Sequence, residues 1–503
     1  MYDLIIKNGQ IIDGTASPAY HSDIAIKNGK IARIAHIIKE EAREVIDAKG
    51  LTITPGFIDS HSHSDNAVFD YPDMVEKIEQ GITTSVAGQC GITIAPAEKN
   101  ASGEVFKTFG AMAKEMMNVS LGSNLVSFVG HGALRKAVIG YENRKATKEE
   151  MEDMKALLRE ALENGASGLS FGLIYTPSCY ADTQELTELA SVVQEYGKVV
   201  SAHIRDEKFN LTKSVEEFIS VVKQTGVKAV ISHHKAMHKE NWGKVNHTLR
   251  MIESAAREGY DIYCDVYPYT ASSTSLSATI IAKELRDTNN EGIVKMVSDN
   301  KMREKIKECY SSIFGDNLNN LQLTHCHKHS EYEGLKIGEV AKMRGQSHLD
   351  AALDLLCICE GNVSICNMAM CEEDVETVMK YERTMIGTDA SVRKNLQSYH
   401  PRLRGTFPRV LGRYVRERKV TTLTEMIRKC TSMPASVYSL SEKGILREGF
   451  DADICIFDAD RIIDRATFEA CHERNEGLNY VILGGEMVVE NGVYNGRKNG
   501  KFI

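Results

Sequence analysis

Residues 55–65 read PGFIDSHSHSD, an apolar run that ends in His61-Ser62-His63, and the fold follows from how this run is read. If Phe57 to His63 is a strand, its side chains alternate between faces, so His61 and His63 project to one side and Ser62 to the other. Two imidazoles converging at the carboxyl end of a strand seed a metal site where α/β barrels keep their chemistry. An isolated His-x-His is more often a surface pair. Here Asp59 and two histidines load an apolar strand with too many polar groups for ordinary core.

Working outward, similar apolar runs recur: LTITPGFID, TTSVAGQC, NLVSFVGHG, SGLSFGLIY, KVVSAHIR, KAVISHHK, DIYCDVYPY and RTMIGTDA. Helical patterns such as KEEMEDMKALLREALENG and VEEFISVVKQTG fill intervals between them and end near Gly, as a βα succession requires. Eight units predict a (β/α)8 TIM-like barrel over 56–439, with catalytic side chains at the strand carboxyl ends. The stretch from about 281 to 370 is longer than one crossover needs and is read as an insertion over the barrel mouth. Short strands near both ends, DLIIKNGQIID and DIAIKNGKIARIA early, ADICIFD and YVILGGEMVVENG late, predict a small β-sandwich or barrel domain built from 1–55 with 440–503. Asn8-Gly9, Asn28-Gly29 and Asn491-Gly492 supply its turn signals.

The 503 residues fit one large domain plus an accessory one. A net charge of −8 without long like-charge blocks leaves no electrostatic footprint for nucleic acid, so a small-molecule substrate is the expectation. No stretch reads as a membrane span or as a secretory leader, and the twelve scattered cysteines read as reduced thiols, which predicts a cytoplasmic protein.

The ends of the eight runs collect His61, His63, Cys90, His131, Tyr175, His203, His233, Tyr267 and Asp389. Zinc accepts imidazole, thiolate and carboxylate, and a catalytic zinc keeps one position open for water. Cys90 alone would be a small core residue. Beside a histidine cluster, and in Gly88-Gln89-Cys90-Gly91, it is read as a ligand. Strand parity favours His233 over His234 as the inward one. A carboxylate ending an apolar strand is costly without a cation or proton partner, which makes Asp389 a candidate general base. His325, His327 and His329 alternate as ligands would, but they lie in a segment that reads as exposed and lack a strand-end position.

These stretches, with VGHGALR, GASGLSFGLIYTPSCYA, HIRDE, YPYTASST, HPRLRGTFPRVLGRYVRE and NEGLNYVILGGEMV, resemble the metal-dependent amidohydrolases, and among them the D-aminoacylases, or N-acyl-D-amino-acid deacylases, over nearly the whole chain. The resemblance implies hydrolysis of N-acyl-D-amino acids. It implies a principal zinc on Cys90, His203 and His233, a second and weaker site on His61, His63 and the same thiolate, and Asp389 as acid/base. It also gives Tyr175 to the oxyanion, and Lys235, Tyr267, Ser273 and Arg402 to the substrate α-carboxylate. Hydantoinases, the competing relatives, usually carry a modified lysine on the fourth strand, and SGLSFGL has none. A non-catalytic scaffold would have lost ligands, and all of them stand here. Two departures, Ser62 where many relatives have Thr and Thr388-Asp389-Ala390 where Ser-Asp-Gly is common, touch no ligand.

Overall fold

The computed structural model describes residues 1–96, 103, 105–315, 317–392, 394 and 399–503. Among the described residues, eight parallel strands succeed one another in chain order: Phe57–Asp59, Ile82–Ala87, Asn124–Ser127 continued by Val129–Gly130, Gly168–Gly172, Val199–His203, Lys228–Ile231, Ile262–Val266 and Thr384–Ile386. The first and eighth close the ring, with the Ser60 amide donating to Ile386 O and Ser62 bridging Ala390 in parallel. This is a barrel of the TIM type. Helices on its outside form for local reasons visible in the chain. Lys148–Glu163 opens with a capping box between Thr147 and Glu150, and Leu211–Thr225 stops at Gly226, whose φ of +71° is left-handed.

The run LTITPGFID, read as one strand, is two. Thr52–Pro55 pairs with Ile454–Phe457, and only Phe57–Asp59 enters the barrel. The break is at Gly56, where a Cβ would lie 2.2 Å from Thr83 Oγ1. Thr52–Pro55 belongs to a seven-stranded sheet built from both chain ends. A four-stranded sheet formed by Tyr2–Lys7, Asp23–Lys27, Lys30–Ala35 and Ala42–Asp47 shares one buried cluster with it, in which Ile6, Ile24 and Ile31 meet Ile53, Ile454 and Ile482. Asn28-Gly29 and Asn491-Gly492 turn hairpins, all four residues at positive φ. Asn8-Gly9 does not: the strands on either side of it go to different sheets, so its left-handed Asn8 redirects the chain instead of pairing it.

Between the seventh and eighth barrel strands the chain builds an antiparallel sheet of Ser272–Ser275, Val363–Asn367 and Leu321–Cys326. Helices Asn290–Ser298, Asn300–Phe314, Ile337–Arg344 and His348–Ile358 accompany it over a core of its own. No helix among the described residues is long and apolar enough to cross a membrane.

Candidate active site

Only His203 sits within a barrel strand; His61, Cys90, Tyr175, His233, Tyr267 and Asp389 follow strand ends by one to three residues. Three of them have left-handed backbones, Cys90 at φ +56°, His233 at +38° and Asp389 at +49°. Non-glycine residues adopt that conformation at a cost, and such strain gathers where surrounding structure aims a side chain. Gly91, beside Cys90, allows the close approach this needs, because a Cβ there would stand 2.7 Å from the backbone nitrogen of Gly172 at the end of the fourth strand.

Cys90 Sγ lies 3.4 Å from His61 Nε2 and 3.3 Å from His233 Nε2. The His203 ring packs edge-on against His233 with centroids 4.4 Å apart, and Asp389 Oδ1 lies 3.5 Å from His61 Nε2 and 3.1 Å from His63 Nε2. Donor atoms of His61, Cys90, His233 and Asp389 fall within 4.8 Å of one another, as do those of His203, Glu207 and His233. Both ring nitrogens of His203 are buried without a hydrogen bond, a costly state for imidazole in a protein interior. Unsatisfied imidazole nitrogens beside a thiolate are the donor set of a zinc site.

The electrostatics agree. Burial pushes the Cys90 thiol up, but His61 and His233 outweigh burial and hold it well below the usual range. Burial and Lys235 press His233 down, yet Cys90 and Glu207 raise it to about 9. The flanking imidazoles thus bias Cys90 toward the thiolate form that binds a metal.

Two carboxylates that sequence reasoning passed over orient these rings. His61 hydrogen-bonds through Nδ1 to Asp265 Oδ2 at 3.2 Å, which turns its Nε2 toward Cys90; Nδ1 of His233 lies 2.9 Å from Glu207 Oε1 and 2.8 Å from Lys235 Nζ, a charged pair that orients that ring in the same sense. Asp265 also accepts from the His233 amide at 2.7 Å. Glu207 stands in HIRDE and Asp265 in DIYCDVYPY, so the signal was an acid inside or just after a strand, as it was for Asp389. Lys235 donates to Glu207 at 2.5 Å.

A cavity of about 380 Å³ opens over this cluster, and His63, Cys90, Tyr175, His203, His233, Lys235, Tyr267, Ser273, Asp389 and Arg402 all border it, with His61 beneath. The inserted sheet supplies one wall through Ser272–Ser275, Ser364 and Asn367. Arg402 donates to Asp389 Oδ2 at 2.6 Å and lies over the Tyr267 ring at 5.1 Å. Burial works to raise the Asp389 carboxyl, but Arg402 and His63 outweigh it and hold it well below the usual range. Tyr175 bonds Thr274 at 3.1 Å, and burial with the nearby thiol keeps its phenol protonated. His131 stands apart from the cluster. It is buried between Ser178 and Glu185, each at 2.8 Å, beside the Arg135–Glu185 ion pair. His325, His327 and His329 each meet a separate glutamate, Glu333, Glu360 and Glu331.

Residues 52–497 match the amidohydrolase family, and the chain belongs to it, in the branch of the D-aminoacylases. It is 32% identical to a D-aminoacylase of Alcaligenes xylosoxydans xylosoxydans, over 100% of this chain and 97% of the relative. An N-acyl-D-glutamate deacylase of the same organism is 33% identical over 96% of this chain and 93% of its own. The crystal structure of an N-acyl-D-glutamate deacylase from Bordetella bronchiseptica, complexed with zinc and a phosphonate mimic of the tetrahedral intermediate, superposes with a TM-score of 0.86 at 31% identity, covering 100% of this chain and 99% of that one.

Proposed function

We infer that this protein is a zinc-dependent hydrolase of N-acyl-D-amino acids, releasing a carboxylate and a free D-amino acid. The observation that carries the reading is the convergence of Cys90, His61, His203 and His233 with Asp389 under one cavity whose wall also presents Arg402 and Lys235. We assign Cys90, His203 and His233 to the principal zinc, and His61 and His63, with the same thiolate, to a weaker second position. Zinc, when bound, supplies an acidified water and an electrophile for the amide carbonyl.

The rest is done by side chains of the chain itself. Asp389 accepts the proton of the attacking water and returns it to the departing nitrogen, so one carboxylate serves both halves of the reaction. In the free protein its basicity is suppressed by Arg402 at 2.6 Å. A substrate α-carboxylate that engages the same guanidinium draws charge away from Asp389, and the base strengthens as substrate arrives. Arg402, suited to a two-pronged grip, holds that carboxylate together with Lys235, Tyr267 and Ser273. The protonated Tyr175 phenol donates to the developing oxyanion. With the carbonyl and the α-carboxylate both fixed, inversion at the α-carbon exchanges hydrogen for side chain, and only the D hand fits.

A ring-opening hydantoinase has no use for an α-carboxylate grip. The test is to strip the protein of metal, reload it with zinc, and assay N-acetyl-D-amino acids beside hydantoins, with Cys90→Ala in parallel. Zinc-restored turnover of the linear amides, lost together with the tightly held ion in Cys90→Ala, is expected. Turnover of hydantoins alone would overturn the reading. The same proposal divides the chain into a catalytic barrel over 56–439, with its insertion, and a β-sandwich domain over 1–55 with 440–503, supported by the shared cluster of the two terminal sheets. It places the protein in the cytoplasm, in keeping with twelve unpaired cysteines.

A further inference from the structure

The stretch VGHGALR brings a histidine to the end of the third barrel strand, and the chemistry described above makes no use of it. His131 opens the helix His131–Val138 and is fully buried. Its Nε2 lies 2.8 Å from Glu185 Oε1, on the helix Thr183–Glu195, and its Nδ1 lies 2.8 Å from Ser178 Oγ. Burial lowers its pKa against the pull of Glu185, so the ring is neutral near pH 7 and carries one hydrogen. Glu185, held ionised by His131 and Arg135, can only accept. That puts the hydrogen on Nε2 and leaves Nδ1 to accept from the Ser178 hydroxyl.

The buried charge of Glu185 does not require this arrangement. Arg135 donates to both Glu185 oxygens, at 2.7 and 2.6 Å, and already answers it. What His131 adds is a fixed acceptor for Ser178. That serine begins the turn Ser178–Tyr180, three residues after Tyr175, and the Cys179 amide donates back to Tyr175 O at 2.8 Å, so the two residues share one closed turn. The Ser178 hydroxyl sits in a tight place, because a Cβ on Gly91 or Gly132 would stand 3.3 or 3.4 Å from its oxygen. At the start of the same turn, the Tyr175 ring meets the His203 ring edge-on with centroids 5.0 Å apart, and its hydroxyl bonds Thr274.

We propose that His131 is a positioning residue for amide hydrolysis: by holding Ser178 it fixes the turn that aims the Tyr175 phenol into the catalytic cavity. The proposal rests on the deacylase reading above, in which that phenol donates to the oxyanion, and adds the device that keeps it in place. Aim matters because an oxyanion donor works only at hydrogen-bond distance, and a displacement of about 1 Å can cost about 100-fold in rate.

The experiment measures kcat and KM of zinc-loaded variants on N-acetyl-D-leucine and N-acetyl-D-glutamate, with zinc content and melting temperature recorded for each. His131→Gln keeps an amide near the Nε2 position, for Glu185, and puts carbon where Nδ1 stood. His131→Asn does the reverse and keeps an acceptor for Ser178. His131→Gln and Ser178→Ala should lower kcat by about 10- to 100-fold with little change in KM, while His131→Asn stays within about threefold of wild type. Both histidine variants remove the same ring, so a general loss of fold lowers both and does not imitate the split. In a Tyr175→Phe background, itself slower by about 100-fold, Ser178→Ala should cost almost nothing more, because its effect runs through the missing hydroxyl. Wild-type kcat in His131→Gln or Ser178→Ala, equal losses in the two histidine variants, or an undiminished loss from Ser178→Ala in the Tyr175→Phe background overturns the proposal and leaves the deacylase reading standing. Wild-type kcat in Tyr175→Phe removes the role given to that phenol, and the proposal with it. Absence of hydrolysis of both substrates by the unaltered protein overturns the deacylase reading as well.

Discussion

Lys77→Met is the substitution that most directly tests how the barrel holds Asp389 in place. Lys77 and Asp59 have no exposed side-chain surface and pair at 2.7 Å. Asp59 also accepts from the Thr388 amide at 2.7 Å and the Thr388 hydroxyl at 2.8 Å, and Lys77 reaches that hydroxyl at 2.6 Å. The cluster thus ties the first strand, two residues before His61, to the residue before Asp389. Removing the ammonium leaves Asp59 as a buried carboxylate without its cation, a defect that costs about 3–5 kcal/mol. Removing both charges is far milder. In Asp59→Asn with Lys77→Met the amide oxygen still accepts from the Thr388 amide, its nitrogen donates to the Thr388 hydroxyl, and the loss should shrink to about 1 kcal/mol. Urea denaturation followed through Trp242, the single tryptophan of the chain, measures both. Turnover should fall with the single substitution and recover in part with the double, since Asp389 moves with Thr388. A single mutant within about 1 kcal/mol of wild type, or a double mutant no more stable than the single, would refute this account of the cluster.

Two further expectations follow. Asp389→Ala should lower kcat by about 10²–10⁴-fold while zinc content is retained, a drop expected of a lost general acid/base and checked by single-turnover kinetics with metal analysis. Lys429, mostly buried against the carbonyls of Tyr381 and Thr384, has its pKa lowered by burial from 10.5 to about 8, with Glu425 opposing. Between those pH values the unfolded chain holds a proton the folded protein has released, so this residue makes stability rise with pH across that window, by at most on the order of 3 kcal/mol. Below pH 8 both states are protonated and the burial cost is fully present. Melting curves from pH 7.5 to 10 should show that rise in wild type and a flatter profile in Lys429→Met; parallel profiles would exclude Lys429 as the source.

Much of the barrel could be read from the chain, because each strand lies in a short, largely apolar run and helices between them carry local caps. What failed depends on partners far away in sequence. Thr52–Pro55 and Phe57–Asp59 form one continuous apolar run, and their division at Gly56 shows only in their partners, Ile454–Phe457 for the first and Ile82–Ala87 for the second. Asn8-Gly9 has the same local chemistry as Asn28-Gly29, but the strands around it are claimed by different sheets. His131 ends a run much as His203 does, yet Glu185 and Ser178 hold it outside the cluster. Glu207 and Asp265 were visible as letters, but their work, fixing the rings of His233 and His61, exists only once strands more than twenty residues apart meet.

The central claim, hydrolysis of N-acyl-D-amino acids at a site that fixes both the amide carbonyl and the α-carboxylate, is tested most directly by kcat/KM of the zinc-loaded protein on enantiomeric pairs of N-acetylglutamate and N-acetylleucine. The account expects the D member of each pair to be favoured by at least about 100-fold, equivalent to about 2.7 kcal/mol of transition-state discrimination. Equal rates on the two hands, or preference for the L member in both pairs, would contradict it.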